Sequence, residues 1–337
     1  MLKMNNSSLK PFRETISLCP ECYRRIPAII YLSDAGVIMK KICNDHGEFV
    51  SMVEGDTDFY LQCMKANAPT IYGGYFIDIT EKCNLACEYC YYPVNNKKKD
   101  RSVDSIVQDA FLHRKLSPFI LTGGEPTLRS DLPEIIEKLR PIGPVELLTN
   151  GTGLNAELLE KILPVLSINL SIHDEIFEDN LRVLKLFEDK KIKLESVLFV
   201  IDDVGEIDDL INLCDGWKHV ICTTRIKAAT KVWNEQKPSE KIFTSDIVKY
   251  LMETYSAKPV WWRNNKVSFF NLELNGIIHM PVSWYDRFNI DMLDIDCAPY
   301  YQAKTGETMN FLTSMLINEG IDKGWLNGHR CNYNNAS

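Results

Sequence analysis

From Tyr75 onward, short apolar runs alternate with longer segments whose apolar residues recur every three or four positions. YFIDIT (75–80), SPFILTGG (117–124), PVELLTNG (144–151), VLSINLSI (165–172), IKLESVLFVID (192–202) and KHVICTTRIKA (218–228) read as strands. Between them, 102–116, 131–140, 155–163, 175–190 and 205–217 carry the helical period. Asp131 is expected to cap the second of these helices, with Pro133 in its first turn. Repeated strand–helix units predict a parallel sheet. No point in the series reverses the strand order, so a partial barrel is favoured over a doubly wound sheet. The fold class expected is α/β: a partial (β/α)6 TIM-like barrel, with a small module before it and an irregular α+β extension after it.

The flanks follow different patterns. Residues 16–60 form a small unit in which AIIYLSDAGVIMKKI (28–42) reads as a hairpin turning at Asp34–Gly36. After Ala229 the alternation stops. Residues 245–257 read as a helix, and 267–284 as a hairpin turning at Asn275–Gly276. The expected division is 1–65 as an N-terminal metal-binding ribbon, 66–230 as the barrel core and 231–337 as an extension covering the substrate. Within the extension, the stretch 279–296, from His279 on, is read as a cover for the barrel's open side.

The chain has 337 residues, 45% of them hydrophobic, which supplies an ample core. Its net charge of −8 argues against a grip on nucleic acid through phosphates. No apolar run reaches the length of a membrane span, and the first residues lack the apolar middle of a signal peptide. A cytoplasmic location is therefore expected. Disulfides are disfavoured there, so clustered cysteines are read first as metal ligands.

Two clusters stand out among the 11 cysteines. Cys19 and Cys22, then Cys43 and His46, are paired spacings on either side of the hairpin. Such a Cys3His set favours structural zinc, with rubredoxin-like iron as the alternative. EKCNLACEYCYY (81–92) holds Cys83, Cys87 and Cys90 directly after the first barrel strand. Three thiolates leave an open position at a metal centre, the mark of a catalytic site. On spacing alone, a zinc knuckle with a remote fourth ligand, or buried thiols, stands level with an iron–sulfur cluster. The second strand then ends in LTGGEPTL (121–128), whose paired glycines let the backbone approach a ligand, and a carboxylate at Glu125 suits a ligand ammonium.

The cysteine spacing together with GGEP at 123–126 closely resembles the radical S-adenosylmethionine (SAM) superfamily, over roughly residues 75–227. The resemblance implies a [4Fe–4S] cluster on Cys83, Cys87 and Cys90, with SAM chelating the open iron. It implies that Tyr89 packs near the adenine and that Gly123, Gly124 and Glu125 hold the SAM amino group. Ser171 would meet the ribose and Arg225 the SAM carboxylate; the plain alternatives are a helix cap for Ser171 and a barrel acid for Arg225. The implied chemistry is reductive cleavage of SAM to a 5′-deoxyadenosyl radical that abstracts hydrogen from an unactivated C–H bond. The implied partners are a small-molecule substrate and a reductant such as flavodoxin or ferredoxin. A peptide substrate is the alternative, and a non-enzymatic zinc-ribbon scaffold the third reading. The N-terminal run also resembles that of tetraether lipid synthase-like radical SAM proteins. An auxiliary cluster on Cys214, Cys222, Cys297 and Cys331 is disfavoured, because these residues lack short paired spacing.

Overall fold

The computed structural model describes residues 9–65, 70–71, 74–87, 89–90, 92, 94–163, 165, 167–228, 241–264, 267–282, 289, 299–302 and 307–310. β1 (Lys10–Leu18), β2 (Arg25–Ser33), β3 (Gly36–Cys43) and β4 (Gly47–Glu54) form an antiparallel four-stranded sheet in that order. The expected hairpin is its centre: Ser33 pairs with Gly36 across the turn. Alternation along β2 and β3 puts Ala28, Ile30, Val37 and Met39 on one buried face. The flanking strands β1 and β4 are an addition to the sequence reading. Their apolar residues, such as Phe12, Ile16 and Val50, are substantially exposed, so the hydrophobic pattern there is weak.

After α1 (Thr57–Lys65) and the short β5 (Thr70–Ile71), the predicted alternation appears as β6 (Tyr75–Thr80), α2 (Val103–Leu112), β7 (Phe119–Gly123), α3 (Leu132–Leu139), β8 (Val145–Thr149), α4 (Ala156–Ile162), β9 (Ser167–Ser171), α5 (Phe177–Asp189), β10 (Leu194–Ile201), α6 (Ile207–Trp217) and β11 (Ile221–Ala228). The six strands β6–β11 are parallel neighbours in chain order. Ile77, Leu121, Leu147, Leu170 and Ile226 face the helices and are fully buried with Ile106, Ile136 and Phe187. Burying each such side chain is worth about 1.5–3 kcal/mol. The opposite face of the same strands carries Asp78, Glu146, Asn169, Ser171, Arg225 and Lys227, offset by one residue from the core set. The inner wall of the half-barrel thus carries these polar side chains among apolar ones such as Ile120, Leu148 and Leu198, while its outer wall is the core.

The C-terminal region does something other than cover the barrel among the described residues. α7 (Thr244–Tyr255), β12 (Lys258–Asn264), β13 (Val267–Leu274), β14 (Ile277–Val282), β15 (Pro299–Gln302) and β16 (Glu307–Asn310) follow. β14 adds parallel to β11, and β13 and β12 continue outward from it. β15 adds parallel to β6 at the other edge. The sheet is lengthened on both sides. Asn275 and Gly276 both take positive φ, as the predicted turn requires. His279 lies in β14 at 1% exposure, with Nδ1 2.8 Å from Thr224 Oγ1. Burial pushes its pKa down to about 4, so it is a neutral strut and takes no part in a cover. Residues 283–288 and 290–298, the rest of the expected cover, lie outside the described residues, as do Cys297 and Cys331.

One local expectation is corrected. Asp131 stands at the N-cap of α3 but makes no side-chain cap bond. Its carboxylate accepts two hydrogen bonds from Arg129, at 2.8 and 2.7 Å. A bidentate guanidinium outbids a single backbone N–H for a carboxylate. Arg129 also donates to Ile79 O at 2.5 Å, which ties the segment after β7 to the end of β6. No helix among the described residues is long and apolar enough to cross a membrane.

Candidate active site

The ribbon closes on its four predicted ligands. Cys19, Cys22, Cys43 and His46 place one ligand atom each within 4.8 Å of all the others. Cys22 Sγ is 3.8 Å from Cys43 Sγ, and His46 Nδ1 is 3.5 Å from Cys43 Sγ and 3.7 Å from Cys19 Sγ. With Zn–S near 2.3 Å and Zn–N near 2.0 Å, a regular tetrahedron has S–S edges of about 3.8 Å and S–N edges of about 3.5 Å. The quartet therefore has the size of a filled tetrahedral site. The Cys19–Cys22 knuckle is built by Tyr23, at positive φ, whose N–H donates to Cys19 O at 2.8 Å.

The three cysteines after β6 are arranged differently. Cys83 Sγ accepts from Leu85 N at 3.4 Å, and Cys90 Sγ from Tyr92 N at 3.4 Å. Cys87 Sγ lies 3.6 Å from His173 Nδ1. Burial, and then the charges of Cys90, Glu175 and Cys83, push the Cys87 thiol up to about 11. Thiols that hold one another's protons on are stabilised as thiolates once a cationic centre sits among them. The donor set, three soft sulfurs with backbone N–H groups turned on two of them, fits an iron–sulfur cluster.

The loop is braced from every side. Lys82 pairs with Asp100 at 2.8 Å, and Thr80 Oγ1 donates to the same carboxylate at 2.7 Å. Lys98 pairs with Glu81. Cys83 N donates to Asn96 Oδ1 at 3.0 Å. The GGEP segment packs directly beneath: Gly124 N donates to Thr80 O at 3.0 Å and Glu125 N to Lys82 O at 2.7 Å. Gly123 takes φ +133°, and a Cβ there would stand 2.2 Å from Thr80 O. A Cβ on Gly124 would stand 2.1 Å from Lys82 O and 3.1 Å from Cys83 Cβ. These two glycines are what lets the second strand's loop lie against the cysteine loop.

Glu125 is 1% exposed, and its carboxylate accepts four hydrogen bonds. Thr127 N and Oγ1 donate at 2.9 and 2.5 Å, Thr149 Oγ1 at 2.6 Å and Asn150 N at 2.7 Å. Burial pushes the carboxyl up, and those four donors pull it down. The side chain is thus committed inside the fold. Asn150, which reads in the sequence as a turn residue, is a buried hub. Its Nδ2 donates to Asn84 Oδ1 at 3.0 Å, and its carbonyl accepts from Asn180 Nδ2 at 3.0 Å. Asn84 Nδ2 in turn donates to Thr152 Oγ1 at 3.0 Å. The loops after β6, β7, β8 and β9 are joined in one network.

Tyr89 stands in the mouth, its hydroxyl 2.7 Å from His173 Nδ1 and the two rings within 2° of parallel. Burial pushes its phenol pKa up. His173 is fixed by its own N–H, which donates to Asn180 Oδ1 at 3.0 Å. Burial pushes the imidazole pKa down. Ser171 ends β9 and caps nothing: the next helical turn starts after His173 with no side-chain cap. Arg225 faces the inner wall, and its charge acts on Glu146 of the same wall. Burial, then Glu195, pushes the Glu146 carboxyl up, and Arg225 pulls it down. Lys227, two residues further along β11 on the same face, is 6% exposed. Burial pushes its pKa down to about 8, against an upward pull from Cys90. Asn84, His173, Asn180 and Lys227 are absent from the sequence reading. Of these, only Lys227 had a local signal, the R-x-K alternation in TTRIKA.

A half-barrel whose first loop holds three thiols above a glycine-lined cradle defines a class. Residues 77–211 match the radical SAM superfamily, and residues 11–55 match the HMPTM N-terminal zinc ribbon domain. The chain thus carries a radical SAM domain behind a zinc ribbon. Enzymes of this class use a [4Fe–4S] cluster and SAM. A 7,8-dihydro-6-hydroxymethylpterin dimethyltransferase of Methanocaldococcus jannaschii is 34% identical over 186 residues, 44% of this chain and 36% of the relative. A GTP 3′,8-cyclase of Synechocystis is 28% identical over 275 residues, 73% of this chain and 80% of the relative. The chain thus spans little more than a third of the dimethyltransferase. SuiB of Streptococcus suis, solved with its precursor peptide SuiA, superposes with a TM-score of 0.52 at 12% identity, over 73% of this chain and 61% of that chain. That similarity shows the fold alone.

Proposed function

We propose that this chain cleaves SAM reductively and abstracts hydrogen from an unactivated C–H bond of a small molecule, a nitrogen heterocycle of the pterin or purine kind. The observation that carries the substrate class is the joint match: an HMPTM-type ribbon ahead of the radical SAM domain, with 34% identity to a pterin dimethyltransferase. The inner wall supports it, since Glu146, Asn169, Ser171 and Arg225 supply both donors and acceptors for a polar ring. The superposition on SuiB bears on the fold, and nothing else favours a peptide.

In this reading Cys83, Cys87 and Cys90 hold the [4Fe–4S] cluster. When bound, the cluster and SAM supply an electron and a carbon-centred radical. The protein's own part is placement. Tyr89, held by His173, offers a flat aromatic face beside the last cysteine. Gly123, Gly124 and the backbone of Glu125 receive the amino group, Ser171 the ribose and Arg225 the carboxylate. Glu125, through Thr149 and Asn150, keeps the cradle rigid. The ribbon metal is structural zinc in a Cys3His site. Residues 1–65, 66–230 and 231–337 serve as ribbon, catalytic core and extension. A cytoplasmic setting, with flavodoxin or ferredoxin as reductant, keeps the thiols reduced.

The test is anaerobic reconstitution with iron and sulfide, followed by dithionite and SAM, with 7,8-dihydro-6-hydroxymethylpterin, GTP or neither. 5′-Deoxyadenosine formation should rise with the pterin or the GTP. A cluster-loaded protein that responds to neither would overturn the substrate class, and one that never forms 5′-deoxyadenosine would overturn the reaction.

A further inference from the structure

The run VNNKKKDR (94–101), between the three cysteines and α2, carries four cations against one anion in a chain whose net charge is −8. Its first half is a turn built onto the cysteine segment. Lys98 N donates to Asn95 O at 3.1 Å, and Lys97 N to Asn95 Oδ1 at 3.2 Å. Asn95 N donates to Glu81 O at 2.8 Å, and Asn96 Oδ1 accepts from Cys83 N at 3.0 Å. One hydrogen bond therefore joins the turn to the backbone of the first cysteine. The charges around it are divided. Lys98 is held by Glu81, Lys82 by Asp100 and Arg101 by Asp109. Lys97 and Lys99 are exposed, and no carboxylate of the described residues pairs with either. Val94, 38% exposed, lies on the same stretch, and Cys90 before it is exposed too. The remaining contacts of the cysteine segment come from later barrel loops: Gly124 and Glu125 meet Thr80 and Lys82, and Asn150 and Thr152 meet Asn84. The basic turn belongs instead to the connection that leads away to α2, in the outer layer.

We propose that Lys97 and Lys99, with Val94 beside them, form the docking surface for an acidic one-electron carrier protein that reduces the centre on the cysteine segment. The proposal rests on the radical SAM reading above, with Cys83, Cys87 and Cys90 as cluster ligands. One electron leaves the carrier and enters that centre; no proton moves and no bond forms or breaks in the transfer. An acidic carrier is repelled by the net charge of this chain, so a fixed cationic spot decides where it lands. Exposed charges at the rim of an interface act on association rate and salt dependence more than on affinity. That suits a carrier that must bind, deliver and leave. Transient redox encounters bury less than about 1,200 Å² in total, so a short turn with one exposed valine is extensive enough. Two free lysines are too few for a grip on nucleic acid, which neutralises several phosphates at once.

The experiment uses the full-length, reconstituted protein and a purified acidic bacterial flavodoxin. Wild type is compared with the double variant Lys97→Glu, Lys99→Glu. A control, Lys161→Glu with Lys185→Glu, makes the same charge change on exposed faces of α4 and α5. 5′-Deoxyadenosine formation is measured with limiting reduced flavodoxin across a salt series, and separately with dithionite and methyl viologen. Zero-length carbodiimide cross-linking, read by peptide mass spectrometry, locates the contact without turnover. At low salt the flavodoxin-driven rate of the 97/99 variant should fall about tenfold or more, and it should converge on wild type as salt rises. The methyl viologen rate should be equal in all three proteins, and flavodoxin carboxylates should cross-link to Lys97 or Lys99. Equal flavodoxin rates in wild type and the 97/99 variant would overturn the proposal, as would an equal loss in the control. So would cross-links confined to other lysines, or a wild type that responds to methyl viologen and not to flavodoxin. A wild type that forms no 5′-deoxyadenosine with either reductant would overturn the reading of the reaction, and this proposal with it.

Discussion

The chain holds two cysteine sites whose difference lies in closure. In the ribbon, four ligand atoms from two knuckles lie within 4.8 Å of one another, at the separations of a filled tetrahedron. Above the barrel, three thiols are spread along a loop that is shaped by its own Asp100 and Asn96, by the GGEP backbone and by the Asn84–Asn150 pair. The first set converges through its own hairpin; the second is held by its scaffold, which in the proposed reading leaves a position open. A structural ion needs ligands alone, whereas a reactive centre needs a surrounding that keeps its shape when the ligand leaves.

Breaking each site should have opposite consequences. Replacing Cys19 and Cys22 with Ser should remove one zinc per chain and unfold the ribbon; structural zinc in zinc-finger peptides is worth about 10 kcal/mol or more. Metal analysis and limited proteolysis would show it, with cluster iron retained. Gly124→Ala should leave the fold standing and displace the cysteine loop, because its Cβ would stand 2.1 Å from Lys82 O. A misplacement on the order of 1 Å costs about 100-fold in rate, readable as 5′-deoxyadenosine formation.

The junction between the two regions gives a pH test. Glu54, at the end of β4, is 7% exposed and accepts from Ser245 Oγ of α7 and from the N–H groups of Gly55 and Asp56, all at Oε1. Burial pushes its pKa up from 4.5 to about 7. The folded state then holds this proton more tightly than the unfolded state does, so stability falls as pH rises from about 4.5 to about 7 and stays low above. The span corresponds to about 3 kcal/mol. Glu54→Gln keeps the Oε1 acceptor and should flatten that slope, raising the melting temperature at pH 8 and changing it little at pH 5. Smaller still, Glu125→Gln should cost about 2 kcal/mol in denaturant unfolding, since an amide has one acceptor oxygen for four donors.

The sequence made both sites legible where the signal is local. Ligand spacings, the paired glycines and the strand–helix period all lie within a few residues of one another. What it concealed is built from distant segments. Asn150 is the turn residue it looks like, its Oδ1 accepting from Thr152 N, but its bonds to Asn84 and Glu125 come from distant segments. Asp131 looks like a cap until Arg129 takes its carboxylate. His279 reads as part of a cover until β14 pairs with β11 and buries it beside Thr224. β1 and β4 carry too many exposed apolar residues to announce a buried face. Lys227 is the nearest miss: the period-2 alternation places it on the same face as Arg225.

The central claim is that the loop site is open by construction and that SAM completes it. The most direct measurement is the EPR spectrum of the dithionite-reduced, reconstituted protein with and without SAM, beside Cys87→Ala. The account predicts a [4Fe–4S] signal that changes on adding SAM, and neither signal nor 5′-deoxyadenosine in the variant. A cluster signal indifferent to SAM, or an intact one in Cys87→Ala, would contradict it.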